Sequence, residues 1–179
     1  VDSLEIAVQH VTEAFATHVA QPVVLAGGYA AAHSTAAGGS GGRRRIDGVP
    51  PEWPRQLIDA DACDVVIVEA DGARKLPFKA PAENEPVLPV DTDTVIVVGG
   101  VDALSTPIAE DFVCRAHVVA KIAELPLGAE LTATAMGSVL GSRAVWRVPA
   151  SVRKFVACIN KADTLPLQDA AATVAQEAV

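Results

Sequence analysis

An acidic pair, Glu69 and Asp71, directly follows the apolar run at residues 65–68. A carboxylate at the tip of a buried strand can hold Mg²⁺, or a water bound to it, beside nucleotide phosphates. Gly72 would let the chain turn close to those phosphates. The pattern predicts Glu69 and Asp71 as catalytic candidates and Asp71 as a Mg²⁺ ligand. The alternative is an Asp-Gly turn after a buried strand, with Glu69 exposed to solvent.

A second group, Asn160-Lys161-Ala162-Asp163, follows the apolar run at residues 154–159. Its spacing matches the Asn-Lys-x-Asp pattern that reads guanine in GTPases. There the Asp accepts hydrogen bonds from the ring N1 and the exocyclic amine, and adenine lacks donors in that arrangement. The pattern predicts Asn160, Lys161 and Asp163 as nucleotide-binding residues. The alternative is a polar loop in which Asp163 caps the next helix.

A third group is basic and rich in proline, and it covers residues 74–86. Arg74, Lys75 and Lys79 directly follow the Asp-Gly turn and could neutralise the charge of a phosphate group. Taken alone, the stretch favours a rigid surface loop with ordinary surface charges.

The phosphate-binding pattern GxxxxGK[ST] is missing from the sequence, which contains no Gly-Lys dipeptide. Glycines at residues 38–42 are followed by three arginines in place of Lys and Ser or Thr. We read that stretch as a loop within residues 33–48, and we expect nucleotide hydrolysis by this chain to be weak or absent.

The elements that must position these groups alternate between β-branched runs and helical patterns. This alternation predicts an α/β fold, with a mostly parallel sheet and helices on both faces. Ligands bind outside the carboxyl ends of the strands in such sheets, where Asp102 joins the acids and the Asn160 motif. The strands are expected at residues 23–26, 64–69, 93–98 and 154–159. The helices are expected at residues 3–20, 50–59, 108–123, 132–140 and 167–179, and prolines exclude a regular helix at residues 77–91.

Composition restricts the class of protein further. The 179 residues carry a formal net charge of -8, which argues against nucleic acid as the partner. No uncharged apolar run approaches the roughly 18 residues of a membrane helix, and no signal peptide is visible. The scattered cysteines Cys63, Cys114 and Cys158 fit reduced thiols better than a disulfide framework. We therefore expect a single α/β domain over residues 1–179, in the cytoplasm and without membrane contact.

Three strings in the chain resemble the YqeC-like family. They are VVIVEADGARKLPFKAPAENEPVLP at residues 65–89, TDTVIVVGGVDAL at residues 92–104 and CINKAD at residues 158–163. Members of that family are described as selenium-dependent hydroxylase accessory proteins. The family is similar to P-loop nucleotide-binding proteins of the metallochaperone type, which implies a P-loop-NTPase-like three-layer sandwich.

The resemblance also gives individual positions a place in the family pattern. Glu69 and Asp71 match a Walker-B-like strand end, and the Asn160 motif matches the base-recognition motif. The matching signature positions are Arg74, Lys79, Glu85, Asp102 and Arg115. The sequence departs from the pattern in three ways: the Gly-rich P-loop is absent, a Val-His-Arg triplet reads Val-Cys-Arg, and the chain stops before an expected last strand. The sequence therefore looks like a P-loop fold truncated at its N-terminus.

Together these observations predict a GTP-binding accessory protein, with Mg²⁺, for the maturation of a molybdenum- or selenium-dependent hydroxylase. The expected partners are that hydroxylase or the proteins that assemble its cofactor. One alternative is a non-catalytic scaffold or interaction module derived from a P-loop fold. Another is a nucleotidyltransferase that acts on a molybdenum cofactor.

Overall fold

The structure, a computed structural model, describes residues 3–17 and 48–179. The chain divides into two compact units, Val1–Val68 and Glu69–Val179. The strand expected at residues 23–26 and the loop expected up to residue 47 lie outside the described residues. The single domain expected over residues 1–179 stays a prediction.

The described residues of the first unit form two helices, α1 (Leu4–Thr17) and α2 (Trp53–Asp59). The side chains that they bury against each other are spaced at helical intervals, which follows from the amphipathic pattern. These buried residues are Ala7, Val11, Trp53 and Leu57, and Ala62, just after α2, joins the same cluster. Both helices were expected; α2 begins at Trp53, with a proline in its first turn.

The strand expected at residues 64–69 is wrong for the described structure. This run has no strand assignment, and Ile67 is 92% exposed. A β-branched run becomes a strand only where a neighbouring strand accepts and donates its ladder hydrogen bonds. None of the described strands pairs with this run.

Two parallel strand pairs form the β structure of the second unit. The shorter pair joins β1 (Phe78–Lys79) to β3 (Val113–Cys114). The longer pair joins β2 (Thr94–Gly100) to β4 (Lys154–Asn160), in a register that places Gly100 opposite Asn160. The strands expected at residues 93–98 and 154–159 are therefore confirmed, and the fold class is α/β.

Three helices complete this unit: α3 (Ala116–Ala123), α4 (Ala133–Leu140) and α5 (Leu165–Glu177). The predictions for α4 and α5 are confirmed, and α4 ends before Gly141 as expected. The helix expected at residues 108–123 is wrong in its first half, because β3 and a left-handed Arg115 (φ 61°) precede α3. No helix in the described ranges is long and apolar enough to cross a membrane.

One face of the longer strand pair carries the core of this unit. Val95 and Val97 are buried on that face, where α4 brings side chains such as Met136. Ile96 and Val98 alternate with them and are exposed on the other face. The described residues therefore show one covered face, and the three-layer sandwich stays a proposal.

Two glycines let α4 and α5 approach closely. A Cβ atom on Gly137 would lie 2.5 Å from Cβ of Glu177, and one on Gly141 would lie 2.1 Å from the carbonyl oxygen of Ala178. Both separations are too short for any larger side chain. The contact fixes the end of α5 against α4, which in turn packs behind β2.

Candidate functional site

The carboxyl ends of β2 and β4 bring together two polar residues that the sequence assigned to separate motifs. Asp102 follows β2 in a short 3₁₀ turn (Val101–Ala103), and Lys161 directly follows β4. The ammonium Nζ of Lys161 donates to Oδ2 of Asp102 at 2.7 Å. These two residues therefore lie together at the edge of the sheet where ligands were expected to bind, and their role as site residues stays a prediction.

The loop after β4 has a defined local conformation. Oδ1 of Asn160 accepts a hydrogen bond from the backbone N–H of Lys161 at 2.7 Å. Lys161 adopts a left-handed backbone with φ 63°, which is uncommon for a side chain of this kind. Asp163 is exposed and forms no ion pair with the described residues, so its carboxylate is available to a ligand.

Gly100, the last residue of β2, lies directly beside the Asp102–Lys161 pair. Its N–H donates to the carbonyl of Pro77 at 2.7 Å. A Cβ atom at this position would lie 2.3 Å from Oδ1 of Asp102 and 3.3 Å from Cδ of Lys161. The absence of a side chain at residue 100 is therefore what lets the Asp102–Lys161 pair lie against the strand.

A second arrangement of charges lies on the proline-rich segment, and we call it the Lys79 cluster: Asp71, Lys79, Glu85 and Arg115. Lys79 is only 5% exposed, and its Nζ donates to the carbonyl oxygen of Gly72 at 2.9 Å. The same ammonium forms an ion pair with the carboxylate of Asp71 and lies 3.8 Å from Oε2 of Glu85. A buried lysine with these partners keeps its charge compensated inside the protein.

Two arginines fix the rest of the segment. Arg115 contacts Oε2 of Glu85 at 2.5 Å and donates to the carbonyl of Ala80 at 3.0 Å. Arg147 donates to the carbonyls of Ala82 and Glu85 at 2.8 and 3.2 Å. Sequence reasoning missed Arg147, since it lies more than sixty residues from its partners in an unremarkable stretch.

The two carboxyl groups of the cluster differ in their affinity for a proton. Burial raises the pKa of Asp71, and the neighbouring Glu85 raises it further, against the opposing effect of Lys79. Burial alone would raise the pKa of Glu85 too. A hydrogen bond shared with Asp71, the hydrogen bond from the Ala82 amide and the charges of Arg115 and Lys79 outweigh burial and lower the pKa of Glu85. A proton added to the pair therefore goes to Asp71.

The magnesium site predicted at Asp71 does not fit these contacts well. The ammonium of Lys79 lies where a cation would bind, and Glu69 is exposed on a stretch without strand structure. Among the described residues, no group of three His, Cys, Asp or Glu side chains is placed to hold a metal ion. The roles of Glu69 and Asp71 in catalysis stay predictions.

Two other charged residues, Arg74 and Glu110, lie outside the Lys79 cluster. Arg74 lies in an exposed turn with φ 53° and forms no ion pair within the described residues, so it does not join the cluster. Glu110, which sequence reasoning missed, accepts from the backbone N–H groups of Ala116 and Arg115 at 2.9 and 3.2 Å. It thereby satisfies amide groups at the start of α3.

A family model described as YqeC protein matches residues 8–117 of the chain. The chain belongs to the YqeC family. The Uncharacterized protein YqeC of Escherichia coli (strain K12) is 37% identical over 87 residues, which cover 49% of this chain and 34% of that relative. The chain thus matches about a third of the length of this curated relative. No solved structure matches it significantly.

The YqeC match includes the Lys79 cluster but only part of the site at the ends of β2 and β4. All four residues of the Lys79 cluster lie within the matched range, as does Asp102. The Asn160 motif lies beyond that range. Membership of the YqeC family therefore rests on the segment that contains the Lys79 cluster, and the base-reading hypothesis rests on the motif and its position alone.

Proposed function

We propose that this chain recognises the guanine base of a nucleotide through Asp163. The observation that carries the proposal is the position of the motif at the carboxyl end of β4, in a parallel strand pair. Ligands of open α/β sheets bind outside that end of the strands. The sequence motif and the fold therefore favour the same place.

The chemistry of the loop fits a guanine base. The exposed carboxylate of Asp163 can accept hydrogen bonds from both N1–H and the 2-amino group of guanine. Adenine presents no such pair of donors, so a site built on this contact rejects it. Asn160 orders the backbone at the start of the loop through its bond to Lys161.

The wider role that we propose comes from the family resemblance. We infer a cytoplasmic, GTP-binding accessory protein that helps to mature a molybdenum- or selenium-dependent hydroxylase. In the complete proteins of such a family, a P-loop would bind the phosphates together with Mg²⁺. Residues 160–163 would supply base recognition, so hydrolysis by this chain alone should be weak or absent.

Nucleoside monophosphates test recognition of the base directly, because the contact proposed for Asp163 is with the base and not with the phosphates. Ligand-detected NMR titrations of the chain should give tighter binding of GMP than of AMP. Asp163→Ala should abolish that preference. Asp163→Asn should instead favour XMP, because an amide accepts from N1–H and donates to the 2-carbonyl of xanthine. Equal binding of GMP and AMP by the wild-type chain would refute the proposal.

A second candidate function is a non-catalytic interaction module, and the Lys79 cluster favours it. The charges of the proline-rich segment are compensated within the protein, which gives a rigid segment suited to docking. Capture of a molybdenum hydroxylase subunit by the chain, equally with and without GTP, would support this candidate. Capture that requires GTP would favour the nucleotide-dependent role.

A further inference from the structure

We propose that Asp102 is a positioning residue for base recognition: it holds Lys161 and thereby sets the conformation of the loop that carries Asp163. This inference rests on the proposed function, because it names what determines selectivity at that site. Neither the sequence motif nor the family match assigns such a role to Asp102.

The strand register brings the two residues into contact. β2 and β4 are paired over seven residues, ending at Gly100 and Asn160, so both chains leave the sheet at the same level. Asp102 comes two residues after one end and Lys161 one residue after the other. The Nζ–Oδ2 bond of 2.7 Å therefore joins the two loops just beyond the last pair of the ladder.

The backbone of Lys161 needs this support. Its left-handed conformation, with φ 63°, is unfavourable for a residue with a side chain and persists only where the surroundings hold it. Its N–H is bound by Asn160 within the motif, and its ammonium is bound by Asp102 from outside the motif. Removing the outer contact leaves the turn held from one side, which frees the residues that follow it, including Asp163.

Because the Asp102–Lys161 pair is exposed, its effect on the loop can be distinguished from an effect on the stability of the protein. The side chains of Lys161 and Asp102 are 49% and 44% exposed. Exposed ion pairs contribute little to the free energy of unfolding, since water and salt screen them. Loss of this pair should therefore change the loop more than it changes the stability of the protein.

The chain offers a matched control at the opposite end of the same two strands. There Arg153, just before β4, contacts Oδ1 of Asp93, just before β2, at 2.6 Å. This pair also joins the two strands and is also exposed. Asp93→Asn removes an ion pair of the same kind, far along the strands from the base-reading loop.

The experiment compares Asp102→Asn with Asp93→Asn in the 179-residue chain. The first readout is the set of backbone amide signals of residues 160–163 in ¹⁵N-labelled protein. We expect these signals to shift or broaden in Asp102→Asn and to stay unchanged in Asp93→Asn. The second readout is the ratio of GMP to AMP affinity, which we expect to fall at least about fivefold in Asp102→Asn only.

The two readouts distinguish failure of the inference from failure of the proposed function. A wild-type chain without guanine preference overturns the proposed function, and the amide signals then decide the positioning role alone. Unchanged signals at residues 160–163 in Asp102→Asn overturn that role. Where the wild type does prefer guanine, loss of preference in both variants or in neither also overturns it.

Discussion

Replacement of Lys79 by methionine tests the energetic role of the Lys79 cluster. Methionine keeps most of the volume of the lysine stem and removes the ammonium. Asp71, 10% exposed, then loses its ion-pair partner while it remains buried. Breaking a buried ion pair by removing one partner costs about 3–5 kcal/mol, because the other charge is left uncompensated. We expect the free energy of unfolding at pH 7 to fall by that amount.

The control is Arg153→Met, which removes one partner of an exposed pair. Its side chains are 77% and 67% exposed, so water already screens their interaction. Such a pair contributes about 0–1 kcal/mol. Urea unfolding followed by circular dichroism gives both values, and the contrast between the two variants tests burial as the cause.

The dependence on pH gives a further check of the Lys79→Met loss. Burial already raises the pKa of Asp71 in the folded protein, and loss of Lys79 raises it more. A carboxyl group whose pKa is higher in the folded than in the unfolded protein stabilises the folded state when it is protonated. This contribution is fully present below the unfolded pKa of about 3.9. That contribution is lost as pH rises through the folded value. The deficit should therefore be largest at neutral pH and shrink as pH falls towards 4.

Two outcomes would refute this reasoning about Lys79. One is a loss below about 1 kcal/mol at pH 7, which would place the pair with ordinary surface pairs. The other is a double variant, Lys79→Met with Asp71→Asn, that is no more stable than Lys79→Met alone. Removal of the uncompensated carboxylate should recover part of the loss.

Two further predictions concern the helices of the second unit. Gly137→Ala should lower the free energy of unfolding by about 1–3 kcal/mol, since its Cβ would lie 2.5 Å from Cβ of Glu177; Gly48→Ala, with no atom within 4 Å, is the control. Burial opposes ionisation of Glu110, but hydrogen bonds from His117 and two backbone amides outweigh it and lower its pKa. Its stabilisation is present above the unfolded pKa and lost as pH falls through the folded pKa. Glu110→Gln should thus be less stable than wild type in urea at pH 7, with the gap closing towards pH 3; a gap that does not change with pH would contradict this.

Local patterns in the sequence were sufficient to predict the two strands of the longer pair and the end of α4. The β-branched runs of β2 and β4 and the glycine after α4 act over a few residues, so their effect can be read from the sequence. The same local rules failed at residues 64–69, where strand formation depends on a partner. They also failed before α3, where a left-handed Arg115 interrupts a helical pattern.

The candidate site was predicted as a set of residues and not as a set of contacts. The rule that ligands bind at strand ends pointed to Asp102 and Lys161, but it did not predict that they bind each other. Asp71 and Lys79 were read as groups that face a cation and a phosphate. In the structure they neutralise one another, an outcome that depends on burial and cannot be read from spacing.

The charged residues of the proline-rich segment form ion pairs within the protein, and this matters when an activity is assigned from the sequence of the segment. The string LPFKAPAENEP contains Lys79 and Glu85, and these two residues form ion pairs with Asp71 and Arg115 elsewhere in the same chain. In this chain the string therefore sets the geometry of a loop. An activity cannot be assigned to a protein from this string alone. Other positions must be compared, and the residues that follow β4 are the first to compare.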